Sequence, residues 1–269
     1  MGVVNVTPDS FYDGGRYLRA GAAVAHGLQL VEEGADVIDV GGESTRPGAS
    51  PVAQAEELQR VLPVVEALSP RVRVSIDTTK PAVAEAAVAR GATLINDVSM
   101  RLARCAADVG AGLVVMHMRG TPRDMQEDPR YADVVGEVHA SLAAGACAAR
   151  AAGVAEVYVD PGIGFGKTLE HNLALLRSLP ELVALGTPVL LGASRKSFLG
   201  RLAAPAGSPP LAPSERLDGS LAVAVWAAAC GVAMLRVHDV RATVQALRLV
   251  HGEPAPTAPA GAVVSEVGR

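Results

Sequence analysis

VRVSIDTTKPAVAEAAVARGATLINDV, Val72 to Val98, contains one full repeat of the architecture. The apolar, β-branched run Val72 to Ile76 has strand composition and ends on the polar Asp77. Pro81 stands where the first turn of a helix tolerates a missing N–H, and the alanine-rich run to Arg90 has helical spacing. Gly91 then serves as a C-cap, and Thr93 to Ile95 opens the next strand. Two strands joined through a helix must run parallel, so this stretch is a βαβ unit.

The same unit recurs in both directions. Strand-like runs are Val3 to Val6, Asp36 to Val40, Val72 to Ile76, Thr93 to Ile95, Leu113 to Met116, Val157 to Val159, Pro188 to Leu191 and Met234 to Val237. Helical segments between and after them are Ala20 to Glu33, Gln54 to Leu68, Pro81 to Arg90, a short one near Arg101 to Val109, Val134 to Ala152, Leu169 to Leu179, Ser214 to Cys230 and Val240 to Val250. Gly34, Gly91, Gly110, Gly153 and Gly231 each precede a new apolar run, as C-caps do. Pro63 is expected to kink the second helix. Eight alternations without a break in composition predict an α/β fold with a single (β/α)8 TIM barrel. The barrel then spans residues 1–251. Residues 252–269 have the composition of a disordered tail, and Ala203 to Pro213 that of a surface loop.

Composition narrows the function. The 269 residues are 49% hydrophobic with net charge −4 and 3% aromatic, so neither the basic footprint nor the stacking surface of a nucleic-acid binder is present. The apolar run Leu221 to Leu235 is too short for a membrane span, and no signal peptide opens the chain, so a cytoplasmic protein with no membrane partner is expected. Cys105, Cys147 and Cys230 have no metal or disulfide spacing, as suits a reducing compartment.

A TIM barrel carries its chemistry at the C-terminal ends of its strands. Those ends bear Asn5, Asp39, Asp77, Asn96, His117, Asp160, the run Ser194 to Ser197, and Arg236 with His238. The bland alternative is helix capping, which fits Asp77 and Asp97 well and Asn5, Asn96 and Asp160 poorly. His26, His139 and His171 lie on helical segments and are expected on the solvated surface. Of 24 basic residues only Lys80, Lys167 and Lys196 are lysine, and each closely follows a strand end. The loops Thr7 to Arg16 and Gly41 to Pro51 are long, charged and glycine-containing, as active-site lids are.

DPGIGFGKT, Asp160 to Thr168, looks like a phosphate-binding loop but fails the register. The first glycine of GxxxxGK[ST] would fall on Pro161, and Gly162, Gly164 and Gly166 are too evenly spaced for GxGxxG.

With the motifs NVTPDSFYDGG (Asn5 to Gly15), IDVGGESTRPG (Ile38 to Gly48), SIDTTKP (Ser75 to Pro81), INDV (Ile95 to Val98), VMHMRGTPRDMQ (Val115 to Gln126), DPGIGFGKT, GASRKSF (Gly192 to Phe198), SERLDGSLA (Ser214 to Ala222) and RVHDV (Arg236 to Val240), the chain resembles the dihydropteroate synthases of the pterin-binding enzyme family. The resemblance implies transfer of 6-hydroxymethyl-7,8-dihydropterin from its diphosphate to 4-aminobenzoate, with Mg²⁺ as cofactor and a homodimeric assembly. It implies that Asp77, Asn96 and Asp160 bind the pterin, that Lys196 donates to its opposite edge, and that Met116 and Phe165 pack near the ring. Asn5 matches the family's Mg²⁺ ligand, and Arg236 and His238 would neutralise the diphosphate. Thr7, Asp9 and Phe11, with Thr45, Arg46 and Pro47, would close over 4-aminobenzoate, whose carboxylate would lie near Ser197. The catalytic set is Thr7, Asp9, Asp39, Lys196, Arg236 and His238. Lys167 is expected beside the site rather than on a phosphate.

Two alternatives share the barrel. A pterin-dependent methyltransferase would not need GGESTRPG and SRKS together with RVHD. A non-catalytic pterin-binding paralogue would not need Asn5, Thr45, Arg46, Lys196 and His238. The family commonly carries residues before the first strand, so a chain starting at Met1 is expected to have either a longer native N-terminus or reduced stability.

Overall fold

The computed structural model describes residues 1–6, 16–44 and 48–252. Eight strands alternate with helices along them. Strands β1 (Gly2–Asn5), β2 (Val37–Gly41), β3 (Arg73–Asp77), β4 (Ala92–Asp97), β5 (Gly112–Met116) and β6 (Val157–Asp160) form a parallel sheet in sequence order, and β7 (Leu190–Leu191) pairs in parallel with β8 (Met234–Leu235). Parallel bridges from Val159 to Val189 and from Gly2 to Val237 join the two sheets, closing a barrel of eight strands. Closure leaves no sheet edge and buries both faces, which is why the strands are almost continuously apolar.

The helices are α1 (Arg16–Glu32), α2 (Gln54–Leu68), α3 (Pro81–Val88), α4 (Ala103–Asp108), α5 (Val134–Ala151), α6 (Leu169–Arg177), α7 (Leu179–Ala184), α8 (Ser197–Ala203), α9 (Leu217–Ala229) and α10 (Val240–His251). Pro81 begins α3 as expected, and Pro63 lies within α2 without ending it. All five C-cap glycines adopt positive φ, from +69° at Gly110 to +103° at Gly34 and Gly91. Helices α7 and α8 are additions to the sequence reading, because each is under two heptads and lacks a legible apolar period. Of the loop expected over Ala203 to Pro213, residues 204–212 are an exposed loop with Ala204 and Leu211 partly buried, while Ala203 ends α8 and Pro213 opens a short 3-10 helix, Pro213–Glu215. The predicted tail from residue 253 onward lies outside the described residues.

Alternation along the strands sets the floor of the site. Successive strand side chains face opposite ways, so residues two apart share a face. Met1, Val37, Leu94, Val114 and Leu190 form a separate apolar cluster with Tyr158 and Met234. Two residues further along the same strands stand Asp39, Asn96, Met116, Asp160, Gly192 and Arg236. An apolar plug therefore lies under a polar layer. The larger apolar cluster, around Val4, Ile38, Val65, Ile95 and Leu142, fills the space between barrel and helices.

Candidate active site

Arg236 organises the polar layer. Its Nε donates to Asp39 Oδ2 at 2.7 Å and its Nη2 to Asp77 Oδ2 at 3.0 Å. Asn96 Nδ2 also donates to Asp39 Oδ2, at 3.1 Å, whereas Asp39 Oδ1 is buried with no partner among the described residues. Asp39 is not at a strand end as the sequence placed it. It lies mid-strand in β2, fully buried, and acts as an anchor for Arg236 and Asn96. One guanidinium facing two buried carboxylates leaves the group one positive charge short. Burial, then the Asp39 charge, pushes Asp77 up to about 7, with Arg236 pulling against them. Burial opposes the charge on Arg236, but Asp39 and Asp77 outweigh it and hold the guanidinium protonated.

Asp160, at the end of β6, receives the Gly162 backbone N–H on Oδ1 at 2.7 Å. Burial raises the Asp160 carboxyl above its ordinary value, opposed first by Lys196. Lys196 Nζ donates to Ile163 O and stands 4.5 Å from the centroid of the Phe165 ring. Burial lowers its ammonium to about 8, with Asp160 supporting the charge. The glycines between them answer a steric need. Gly162 and Gly166 have φ of +66° and +61°, and a Cβ on them would lie 1.9 Å from His117 O and 2.3 Å from Arg119 O. The loop turns left-handed and presses against the exit of β5, which only glycine permits.

Met116 is buried in the same layer, beside a cavity of about 400 Å³ that Asp77, Thr78, Val98 and Met118 also line. His238 approaches Ser194 Oγ with its backbone N at 3.2 Å and with Nδ1 at 3.1 Å. Ser197 is exposed at the first residue of α8. Asn5 ends β1 half-buried, and a Cβ on Gly41 would lie 3.7 Å from both its Oδ1 and Asp77 Oδ2. Thr7, Asp9, Phe11, Thr45, Arg46 and Pro47 lie outside the described residues.

Several expectations need correction. His117 does not join the mouth: alternation sends Met116 inward and His117 outward, where its Nδ1 meets Lys167 Nζ at 3.0 Å. Helix capping is the right reading for neither carboxylate: Asp97 accepts four hydrogen bonds from Ser99, Arg101 and Leu102 in the segment before α4, whose N-cap is Leu102, and Asp77 pairs with Arg236. His171 is no free surface group, since its Nδ1 completes a capping box with Thr168. His139 is half-buried, with Nε2 enclosed and unpartnered among the described residues, and burial lowers its pKa.

Glu57 went unnoticed in the sequence because an acidic residue in a first helical turn normally serves the helix dipole. It is fully buried on α2, where it accepts from Thr78 Oγ1 at 2.7 Å and from Lys80 Nζ. Lys80 also binds Glu43 and so ties the start of the loop after β2 to α2. The Arg195–Asp239 ion pair, with Nε to Oδ2 at 2.9 Å, joins the loop after β7 to the start of α10. The spacing of two distant loops carried no signal for it.

Among the described residues no group of three His, Cys, Asp or Glu side chains can hold a metal ion. Among the described residues the donor at the predicted position is the Asn5 carboxamide. A hard cation that keeps most of its waters and takes phosphate oxygens needs little more from the protein, so this donor set fits Mg²⁺ carried on a diphosphate.

Comparison with known proteins shows the family. The family described as pterin binding enzyme matches residues 1–238. The dihydropteroate synthase of Mycobacterium leprae is 50% identical over 259 residues, covering 93% of this chain and 91% of that protein. Dihydropteroate synthase of Xanthomonas albilineans, solved with 4-aminobenzoic acid, is 49% identical with a TM-score of 0.86, covering 93% of this chain and 91% of that one. The same enzyme in complex with 7,8-dihydropteroate gives 45% identity and a TM-score of 0.82 over 93% and 91% of the two chains. With its barrel closed, its acidic and amide side chains gathered around Arg236, and this likeness along nearly its whole length, the chain belongs to the pterin-binding enzyme family.

Proposed function

We propose that the chain is a dihydropteroate synthase, condensing 6-hydroxymethyl-7,8-dihydropterin diphosphate with 4-aminobenzoate to give 7,8-dihydropteroate and pyrophosphate. The observation that carries this reading is the convergence of Asp77, Asn96 and Asp160 with Lys196 and Arg236 over an apolar floor, in a chain half identical to a dihydropteroate synthase.

A dihydropterin presents a row of N–H donors along its 2-amino-pyrimidinone edge. Asp77, Asn96 and Asp160 supply acceptors, and each charged hydrogen bond contributes about 1.5–3 kcal/mol. Lys196 donates to the opposite edge, while Met116 and Phe165 flank the ring. The neutral aryl amine attacks the exocyclic methylene carbon as the C–O bond breaks. Diphosphate departs with the bonding pair, and the new C–N nitrogen then loses its proton. No general base is needed for attack, so the main catalytic demand is stabilisation of the leaving group. Arg236 uses two of an arginine's five N–H donors on Asp39 and Asp77, which leaves three for diphosphate oxygens beside His238. Mg²⁺, when bound through Asn5 and the diphosphate, adds charge neutralisation at the same group.

Thr7, Asp9, Thr45, Arg46 and Pro47 take the aminobenzoate side, with Ser197 at the start of α8 near the carboxylate. A homodimer and a cytoplasmic location belong to the same proposal, resting on the family resemblance and three free cysteines. No helix among the described residues is long and apolar enough to cross a membrane.

The test is a coupled pyrophosphate-release assay with the pterin diphosphate, with and without 4-aminobenzoate and Mg²⁺. Dihydropteroate formation that depends on aminobenzoate is expected, and its absence would sink the reading.

A further inference from the structure

The lysine of DPGIGFGKT has no part in the reaction described above, yet Lys167 is only 3% exposed. Lysine is almost never buried so deeply without an ionic partner. Among the described residues no carboxylate touches it. All three of its N–H donors are spent on neutral acceptors: His117 Nδ1 at 3.0 Å, His117 O at 3.3 Å and Phe165 O at 2.9 Å.

Those acceptors belong to two different loops. His117 opens the segment after β5, and Phe165 lies in the glycine-rich segment after β6. Other bonds run between the same two segments: Tyr131 Oη donates to Gly166 O at 2.8 Å, and Gln126 Nε2 to Gly164 O at 2.7 Å. Three left-handed glycines give the β6 segment little stiffness of its own, because glycine has the most conformational freedom to lose on folding. Its shape must come from outside contacts. The same segment supplies the Gly162 N–H that holds Asp160, the Ile163 carbonyl that holds Lys196, and the Phe165 ring itself.

We infer that Lys167 is a positioning residue for pterin recognition, clamping the segment after β5 to the segment after β6 so that Asp160, Lys196 and Phe165 stand in register. The inference rests on the dihydropteroate synthase reading. In place of a nucleotide phosphate, the lysine of this phosphate-loop look-alike grips the protein's own carbonyls beneath the pterin site. The charged and titratable groups around it are His117, Arg119, Asp160 and Lys196. An uncharged His117 accepting on Nδ1 is consistent with burial, and next Lys167, lowering that imidazole to about 4.

Lys167→Met tests this in the full-length protein. Loss of a charged, buried hydrogen-bond set should raise the KM for pterin diphosphate about tenfold or more while leaving the KM for 4-aminobenzoate within about twofold. In ¹⁵N-resolved NMR the His117 ring should titrate at higher pH than in the wild type. An unchanged pterin KM in Lys167→Met, with the wild type active, overturns the inference. Equal rises in both KM values also overturn it, whereas an inactive wild type refutes the synthase reading instead. Should Lys167→Met fail to fold, Tyr131→Phe removes one bond of the same clamp. It should raise the pterin KM about two- to fivefold, and no rise would overturn the inference.

Discussion

Arg236 Nε donates to Asp39 Oδ2 at 2.7 Å, joining residues 197 apart in sequence, one just past β8 and the other in β2, at the barrel mouth. In the proposed reaction the pair would let Arg236 face the diphosphate and stay fixed. Asp39, fully buried, holds the guanidinium from below, and the remaining N–H groups point elsewhere. Removing the Asp39 charge weakens the bonds from Arg236 Nε and Asn96 Nδ2 while Asp77 still compensates the guanidinium, so the loss is that of a charged hydrogen bond, about 1.5–3 kcal/mol. Asp39→Asn should therefore lower unfolding free energy by about 1.5–3 kcal/mol in urea denaturation and reduce kcat about a hundredfold. Unchanged stability with unchanged kcat would contradict an anchoring role.

Asp77 makes a pH-dependent contribution of unusual sign. Its carboxyl is raised from 3.8 in the unfolded chain to about 7 in the fold, first by burial and then by Asp39. The folded state therefore binds the extra proton, and the stability linked to it is whole below about pH 4 and lost as pH rises through 7. His117, lowered from 6.5 to about 4, works the opposite way over part of that range. Comparing Asp77→Asn with the wild type isolates the carboxyl. The difference in Tm, variant minus wild type, should increase from pH 5 to pH 8, and a flat difference would refute the assignment.

Gly162 offers a steric test. Alanine there must adopt φ of +66° and place its Cβ 1.9 Å from the His117 carbonyl oxygen, a backbone atom that cannot swing away. Gly207 also has positive φ, +81°, but a Cβ there meets nothing within 4 Å. The left-handed conformation alone costs about 1–2 kcal/mol, so Gly207→Ala should lose about 1 kcal/mol and Gly162→Ala more than about 3. Urea denaturation of the two variants makes the comparison.

These sites show what the sequence could and could not carry. The closed barrel was legible because each strand is a local apolar run and each boundary a local glycine or proline, as in Val72 to Val98. Asp77, Asn96, Asp160 and Lys196 were legible because barrels place chemistry at strand ends. What escaped was decided by long-range partners or by single-residue register. One position in β5 separates Met116 in the mouth from His117 behind it. Asp77 and Asp97 look alike as caps in sequence, but only Asp77 has Arg236 across the barrel. Glu57 became a buried ion-pair partner only because Lys80 and Thr78 fold over α2.

Lys167 should leave its mark on the alkaline limb of the stability profile. Burial lowers its ammonium from 10.5 in the unfolded chain to about 7, with the nearby Asp160 supporting the charge and Lys196 and Arg119 opposing it. Between those values the unfolded chain binds a proton that the folded protein has released. Stability therefore rises with pH from about 7 toward 10.5, and the penalty of the buried charge is complete below 7. Lys196, lowered to about 8 mainly by burial, acts in the same direction over a narrower window. Thermal unfolding of the wild type should accordingly show Tm increasing between pH 7 and pH 9.5. Lys167→Met removes the larger contributor, so its Tm should rise less steeply over the same interval while keeping the part due to Lys196. A variant slope equal to that of the wild type would show that the Lys167 ammonium keeps its proton in the fold.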